Sequence, residues 1–190
     1  MLKALFKVFF RIAKWELLQP APPEAFNCVM IAAPHTSNWD FVYAISGMDQ
    51  LGLKPRFTIK KEFNVFILGR WITNLGALWI DRSKAKKGGG WTKYMASLFH
   101  QNSDPLTVVV TPEGTRSKVE EWKLGFYYTA LEAKVPICCA FMDYKKKLTG
   151  VGMCFMPIGD LKTDMKRIMD FYKGITGKFP ENFVTDLRFS

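Results

Sequence analysis

The sequence predicts an α/β fold with a mostly parallel central sheet flanked by helices. Apolar, strand-like segments alternate with helical segments along most of the chain, and these strands are continuously apolar, as in parallel sheets covered on both faces. A chain of 190 residues that is 48% hydrophobic can bury the core of one globular domain. We therefore expect a single domain over residues 26–190, preceded by a separate N-terminal segment, residues 1–19.

The predicted elements follow a linker rich in proline, and each is bounded by turn-forming residues. The predicted strands cover residues 28–33, 56–60, 77–80, 106–111, 137–142 and 148–156. A polar turn at residues 145–147 is expected to pair the last two strands as a hairpin. The predicted helices cover residues 40–51, 64–74, 91–101, 124–134 and 165–173.

The segment from Leu2 to Leu18 contains no Gly or Pro and predicts a helix. Its basic residues follow one another at helical spacing along one stripe, and bulky apolar residues cover the rest: Lys3, Lys7, Arg11 and Lys14. Such a helix either packs on a core with a solvated basic edge or lies in a membrane interface. The wide apolar surface and the purely basic stripe favour an amphipathic helix on an anionic membrane, and the charges disfavour a spanning helix. We expect a peripheral or monotopic protein at the cytoplasmic face of a membrane.

Charge and cysteine content narrow the possible partners and compartments. The formal net charge of +10 predicts attraction to a polyanion, whether nucleic acid, an anionic membrane or a phosphorylated substrate. Nucleic acid is disfavoured because the sequence contains no recognised binding motif for it. The four cysteines lie in apolar runs without the spacing of a zinc site, so we expect buried thiols in a reducing compartment. Charges interrupt the apolar N-terminus, so no cleavable leader is predicted and Met1 is expected to begin the mature chain.

Three polar clusters directly follow predicted strands. Residues 34–40 follow the first strand, residues 81–83 the third and residues 112–116 the fourth. Ligands bind beyond the carboxyl ends of the strands in open parallel sheets. The three clusters are therefore expected at one edge of the sheet, where a binding site would form.

The chemistry of these clusters suits a general base beside an anion site. Asp40 can return across the strand-to-helix turn to fix the tautomer of His35, although the two residues could simply cap the turn and complement the helix dipole. Residues 113–116 offer a carboxylate, a glycine, a hydroxyl and a guanidinium, which suit a phosphate and a glycerol hydroxyl, with Arg82 as a second cation. A surface turn with an internal ion pair would have the same composition. The convergence of the clusters favours a site.

Four blocks of sequence resemble the lysophosphatidate acyltransferase family, the 1-acylglycerol-3-phosphate O-acyltransferases and their relatives. His35 and Asp40 fit the His-x-x-x-x-Asp motif, and residues 76–82, GALWIDR, resemble the second block. Glu113-Gly114-Thr115-Arg116 matches the third block, and Val135-Pro136-Ile137 resembles the fourth. Lys60-Lys61-Glu62 resembles the lysine-rich stretch of the family, and the whole resemblance covers residues 30–141.

The resemblance implies transfer of a fatty acyl group from acyl-CoA or acyl-carrier protein to the free hydroxyl of a lysophospholipid. The expected acceptor is 1-acylglycerol-3-phosphate, which would give phosphatidate. His35, oriented by Asp40, would activate the hydroxyl without a covalent enzyme intermediate, a metal or another cofactor. The resemblance implies that residues of the second and third blocks bind the acceptor: Arg82, Glu113, Gly114, Thr115 and Arg116. It also implies that Lys60, in the lysine-rich stretch, contacts the phosphate.

Alternatives to this reaction remain within the same chemistry. A relative of the family could acylate a lyso-aminolipid, such as an acylated glycine or ornithine, through the same hydroxyl attack. A lipid hydrolase is disfavoured because Ser37 and Ser117 lack the nucleophile-elbow context. The apolar residues within 63–71 could line an acyl channel, although ordinary core packing is the commoner role of such residues: Phe66, Ile67, Leu68 and Trp71.

Overall fold

The computed structural model describes residues 2–60, 66–80, 90–101 and 104–190. In this part of the chain seven strands form one sheet: β1 Glu16–Leu17, β2 Cys28–Ala33, β3 Pro55–Lys60, β4 Ala77–Ile80, β5 Thr107–Val110, β6 Ile137–Asp143 and β7 Leu148–Phe155. The α-helices are α1 Leu2–Ile12, α2 Trp39–Gln50, α3 Phe66–Asn74, α4 Trp91–Gln101, α5 Gly125–Ala133 and α6 Leu161–Tyr172. Short 3₁₀ helices lie at Pro23–Phe26 and Pro180–Asn182.

The sheet has the order β1-β7-β6-β2-β5-β3-β4 and is mostly parallel. Strand β2 lies at the centre, where Val29 pairs with Val108 of β5 on one side and with Ile137 of β6 on the other. Only the β6–β7 pair is antiparallel among the described strands. The α/β prediction is therefore confirmed, and the carboxyl ends of β2, β3, β4, β5 and β6 share one edge.

Helices bury both faces of the sheet. On one face α5 and α6 cover alternate residues of β2 and β6, and the resulting cluster includes Ile31, Cys139 and Ile168. On the opposite face a smaller cluster joins Met30 of β2 to Met48 of α2. Because successive side chains of a strand point to opposite faces, continuous apolar strands are required by this arrangement.

The N-terminal helix is shorter than predicted, and its prediction beyond Ile12 was wrong. The chain leaves the helix at Lys14, which has a left-handed backbone with φ of 56°. Trp15 is then buried, and the backbone of Glu16 and Leu18 donates hydrogen bonds to the carbonyl oxygens of Lys147 and Thr149, at 2.7 and 2.8 Å. Sheet pairing with β7 therefore overrides the helical propensity of this segment.

Helix α1 packs on α2 and has three kinds of surface. Phe6 and Phe10 are buried against the domain, and Lys3 and Lys7 form ion pairs of 2.9 and 2.7 Å with Asp49 of α2. Leu2 is partly buried, and four bulky apolar side chains of the helix are exposed: Leu5, Val8, Phe9 and Ile12. The described part of the N-terminal segment, residues 2–19, thus contacts residues of the main domain directly. No helix in the described ranges is long and apolar enough to cross a membrane.

The expectation of four free thiols needs correction. Cys138 of β6 and Cys154 of β7 form a disulfide, while Cys28 and Cys139 are free and buried. The two bonded residues are direct partners in the antiparallel register, and their Cα atoms are 4.1 Å apart. Sequence spacing could not show this pairing, since it depends on the register of a hairpin.

Candidate active site

The turn between β2 and α2 brings His35 and Asp40 into contact. The Nδ1 atom of His35 lies 3.3 Å from Oδ2 of Asp40, whose side chain is nearly completely buried. The same oxygen accepts the backbone N–H groups of Thr36 and Ser37, each at 2.8 Å. The proximity of this carboxylate favours the ring proton on Nδ1, and in that tautomer Nε2 can accept a proton.

A tyrosine that is distant in the sequence binds the other oxygen of the Asp40 carboxylate. The hydroxyl of Tyr144 donates a hydrogen bond of 2.6 Å to Oδ1 of Asp40. Tyr144 directly follows β6, so it stands at the same edge of the sheet as His35. Burial and the hydrogen bond to Asp40 both raise the pKa of Tyr144, which keeps its hydroxyl protonated and able to donate.

Glu113 connects the third motif to the first. Its Oε1 accepts the backbone N–H of His35 at 2.9 Å, and its side chain is 5% exposed. Burial raises the pKa of Glu113 to about 7, an effect opposed by the hydrogen bond from His35. The second oxygen, Oε2, is buried without a hydrogen-bond partner in the described part of the chain. The Glu113 carboxyl group is therefore buried between the turn after β5 and the turn after β2, and it does not face solvent.

Two cations lie on the exposed side of the same turn. Gly114 has φ of 69°, and a side chain at this position would overlap the amino group of Lys123. The backbone N–H of Lys123 donates to the carbonyl of Pro112 at 2.9 Å, which holds the Lys123 backbone beside this turn. Arg116 and Lys123 are exposed, and neither has an ion-pair partner among the described residues. Thr115 is also exposed and accepts the N–H of the residue two positions later at 3.3 Å.

The remaining predicted positions fall outside this group. Lys60 ends β3 at the active-site edge, but its side chain and all of Arg82 lie outside the described residues. The fourth block, residues 135–137, lies at the opposite edge, because it begins β6. There the carbonyl of Pro136 accepts the N–H of Val29 at 3.0 Å, so this block supports strand pairing.

A cavity of about 790 Å³ adjoins the His35–Asp40 pair. Both residues line it, as do Arg116 and Lys123. Its wall is otherwise largely apolar and includes residues of α2 and of the neighbouring strands: Ala44, Gly47, Met48, Val109, Ala140 and Val151. The volume lies within the range of about 300–1,000 Å³ usual for ligand pockets. Trp71, the member of the predicted acyl-channel group whose side chain is described, is exposed and does not line this cavity.

Sequence reasoning missed Tyr144 and Lys123. Tyr144 had a signal, since it follows the carboxyl end of a predicted strand, as the three polar clusters do. Its hairpin neighbours suggested only a polar turn. No such signal marked Lys123, because it precedes a helix and does not follow a strand. The loop between residues 112 and 123 folds back and brings the Lys123 amino group next to Gly114.

The α/β sheet, with a histidine and a buried carboxylate at its carboxyl edge beside a large apolar cavity, is consistent with a protein of the acyl-transfer class. A family model described as Acyltransferase matches residues 21–143, a range that contains all four motifs. The chain belongs to the acyltransferase family and is an acyltransferase. The family resemblance found in the sequence is thereby confirmed.

A solved structure shows the same fold. The crystal structure of the 1-acyl-sn-glycerophosphate (LPA) acyltransferase PlsC from Thermotoga maritima has a TM-score of 0.56 and 16% sequence identity with this chain. The match covers 84% of this chain and 69% of that one. At this level of identity the similarity establishes the architecture alone. No curated protein matches the sequence significantly.

Proposed function

We propose that this enzyme transfers a fatty acyl group from acyl-CoA or acyl-carrier protein to the free hydroxyl of lysophosphatidate, giving phosphatidate. The observation that supports this most directly is the shared cavity: an oriented histidine, two cations without ion-pair partners in the described residues, and an extended apolar wall all line it. These groups match the hydroxyl, the phosphate and the acyl chain of the two substrates. The proposal requires no metal and no other cofactor.

Chemistry at His35 follows from the orientation of its ring. Asp40 holds the Nδ1 side, so Nε2 takes the proton of the acceptor hydroxyl as its oxygen attacks the thioester carbonyl carbon. A new C–O bond forms, and collapse of the tetrahedral intermediate breaks the C–S bond. The leaving thiolate receives the proton from the imidazolium, which returns His35 to its initial state.

The acceptor phosphate is assigned to Arg116 and Lys123. A phosphate monoester carries up to two negative charges, and a guanidinium can bind two of its oxygens while an ammonium neutralises a third. Both side chains line the cavity that His35 also lines. Gly114 contributes by leaving space for the Lys123 amino group.

The acyl chain under transfer is assigned to the apolar part of the cavity. Its reacting carbon must come close to His35, so the rest of the chain extends along the wall formed by α2 and the adjoining strands. The small side chains of Ala44 on α2 and Ala140 on β6 line this part of the cavity and leave room for the chain. Burial of a long alkyl chain there would supply about 0.8 kcal/mol per methylene group.

We also propose that the enzyme docks on an anionic membrane surface through α1. Leu5, Val8, Phe9 and Ile12 recur at helical spacing and form one exposed apolar face. Arg11 lies beside this face and is exposed. The combination of apolar side chains and cations is typical of helices that bind anionic lipid interfaces.

The reaction is tested by incubating the purified protein with lysophosphatidate and palmitoyl-CoA while thiol release and lipid product are both followed. His35→Ala should abolish both signals. The matched control is His100→Ala, since the chain contains two histidines and His100 is exposed on α4. That variant should retain the activity of the unmodified protein.

The same assay separates the remaining substrates. If phosphatidate is not formed, acyl-carrier protein and a lyso-aminolipid replace the donor and the acceptor in turn. Acylation of the aminolipid alone would replace the lysophosphatidate proposal by the aminolipid alternative. Absence of product with every pair, or full activity of His35→Ala, would overturn the proposed function.

A further inference from the structure

We propose that Tyr144 is a positioning residue of the catalytic pair, which fixes the Asp40 carboxylate from the side opposite His35. This inference rests on the proposed function for the role of His35 as the base. Tyr144 belongs to none of the sequence blocks that identify the family, and it lies one residue beyond β6. Its hydroxyl reaches Asp40 across 104 positions of the sequence.

The two oxygens of Asp40 have separate partners. Oδ2 faces Nδ1 of His35 and accepts the backbone N–H groups of Thr36 and Ser37. Oδ1 accepts the hydroxyl of Tyr144 at 2.6 Å. A carboxylate held at only one oxygen can turn about its Cβ–Cγ bond, so the bond from Tyr144 limits this rotation. The orientation of the imidazole ring depends on the same plane.

Tyr144 is itself held on three sides. Its backbone N–H donates to the carbonyl of Thr176 at 2.8 Å. Its ring packs edge-to-face on Trp15, with 4.9 Å between ring centroids, and the ammonium of Lys147 lies 5.8 Å from the ring centroid. The hydroxyl therefore reaches Asp40 from a fixed ring, as a positioning group requires.

The proposal predicts a loss in turnover without a loss of fold. Tyr144→Phe keeps the ring that packs on Trp15 and removes only the hydroxyl. We expect kcat to fall about ten-fold, the effect of one lost hydrogen bond to a charged group, with KM for both substrates within about two-fold and a cooperative melting transition lowered by only a few degrees. Tyr43→Phe is the matched control, because Tyr43 packs on Trp15 in the same aromatic cluster and its ring also neighbours Tyr144. Its kcat should not change.

A double-mutant cycle separates positioning through Asp40 from a general structural effect. In the Asp40→Asn background, Tyr144→Phe should cause little further loss of kcat, because its action passes through the missing carboxylate. If the two losses multiply, or if Tyr144→Phe alone has full kcat, Tyr144 does not act through Asp40. A rise in KM with unchanged kcat would have the same meaning.

A spectroscopic measurement that does not depend on activity tests the role of Tyr144 separately from the proposed function. The ¹⁵N spectrum of the two histidine rings reports the tautomer of His35, and exposed His100 serves as an internal reference. We expect Tyr144→Phe to shift the His35 signals while those of His100 stay in place, and Tyr43→Phe to shift neither. Unchanged His35 signals in Tyr144→Phe would overturn the positioning role. Failure of the unmodified protein to acylate any acceptor would instead overturn the proposed function.

Discussion

The side chain of Glu113 accepts the backbone N–H of His35, so the third motif holds the first motif through a single hydrogen bond of 2.9 Å. These two residues lie 78 positions apart and meet because β2 and β5 are parallel neighbours. The Glu113 carboxyl group is nearly fully buried, which disfavours its charged form. The residue that holds the His35 backbone therefore also has a raised pKa.

Glu113→Gln should remove part of the pH dependence of stability. Burial raises the pKa of Glu113 from the ordinary value of 4.5 to about 7. Between pH 4.5 and pH 7 the folded protein therefore keeps a proton on Glu113 that the unfolded chain has lost. This contribution to the free energy of unfolding is present below about pH 4.5, decreases as the pH rises to about 7 and amounts to roughly 3 kcal/mol. Urea unfolding at several pH values should show a flatter profile for the variant in this window. Parallel profiles for the two proteins would contradict the assignment.

Arg116→Ala and Lys123→Ala should each raise KM for lysophosphatidate about ten-fold or more, because each loses a charge-assisted bond to phosphate. The KM for palmitoyl-CoA should change much less. Lys118→Ala is the control, since Lys118 is an exposed cation close in sequence that does not line the cavity. Equal effects of all three variants would indicate a general electrostatic attraction and no defined phosphate site.

Ala44→Leu should shorten the acyl chain that the enzyme prefers. Ala44 lines the apolar wall of the cavity from α2, and the larger side chain would fill space beside the strands. The ratio of kcat/KM for palmitoyl-CoA to that for octanoyl-CoA should decrease about ten-fold, in line with the lost burial of a few methylene groups. Activity with the short donor serves as the internal control for folding. An unchanged ratio would place the transferred chain elsewhere.

Ile12→Glu should weaken sedimentation with anionic liposomes about ten-fold, because it removes an exposed apolar contact and adds a negative charge to the docking face. Ile12 is 72% exposed, and Ile158, in the loop before α6, is 70% exposed. Ile158→Glu is therefore a control matched in residue type and exposure, and its binding should not change. Equal binding of all three proteins would exclude α1 as the docking face.

Most of the fold could be predicted from local patterns. Six of the seven described strands lie within a residue or two of their predicted bounds, since continuous apolar runs mark strands buried on both faces. Strand β1 was missed because its two residues lie within a helical pattern and pair only through β7. Helix α6 begins four residues before its prediction, at Leu161, where Asp160 caps it by accepting two backbone N–H groups.

The site could be predicted only as far as its parts follow strands. His35 and Glu113 were found because polar residues at the carboxyl ends of parallel strands share an edge. Their mutual hydrogen bond, the contact between Tyr144 and Asp40, and the approach of Lys123 to Gly114 depend on strand order and loop path. Sequence spacing contains no information on these long-range contacts. The burial of Glu113, which the sequence analysis placed with the acceptor, is another consequence of tertiary packing.

Helix α1 is bound to α2 by buried phenylalanines and by two ion pairs to Asp49, and α2 contains Asp40 in its first turn. The distance between the exposed face of α1 and Nε2 of His35 is therefore fixed by the fold. On a lipid surface, bilayer composition should alter the fraction of enzyme that is adsorbed and leave the turnover of each adsorbed molecule constant. Rates measured on different vesicles should then collapse onto one line when plotted against bound enzyme.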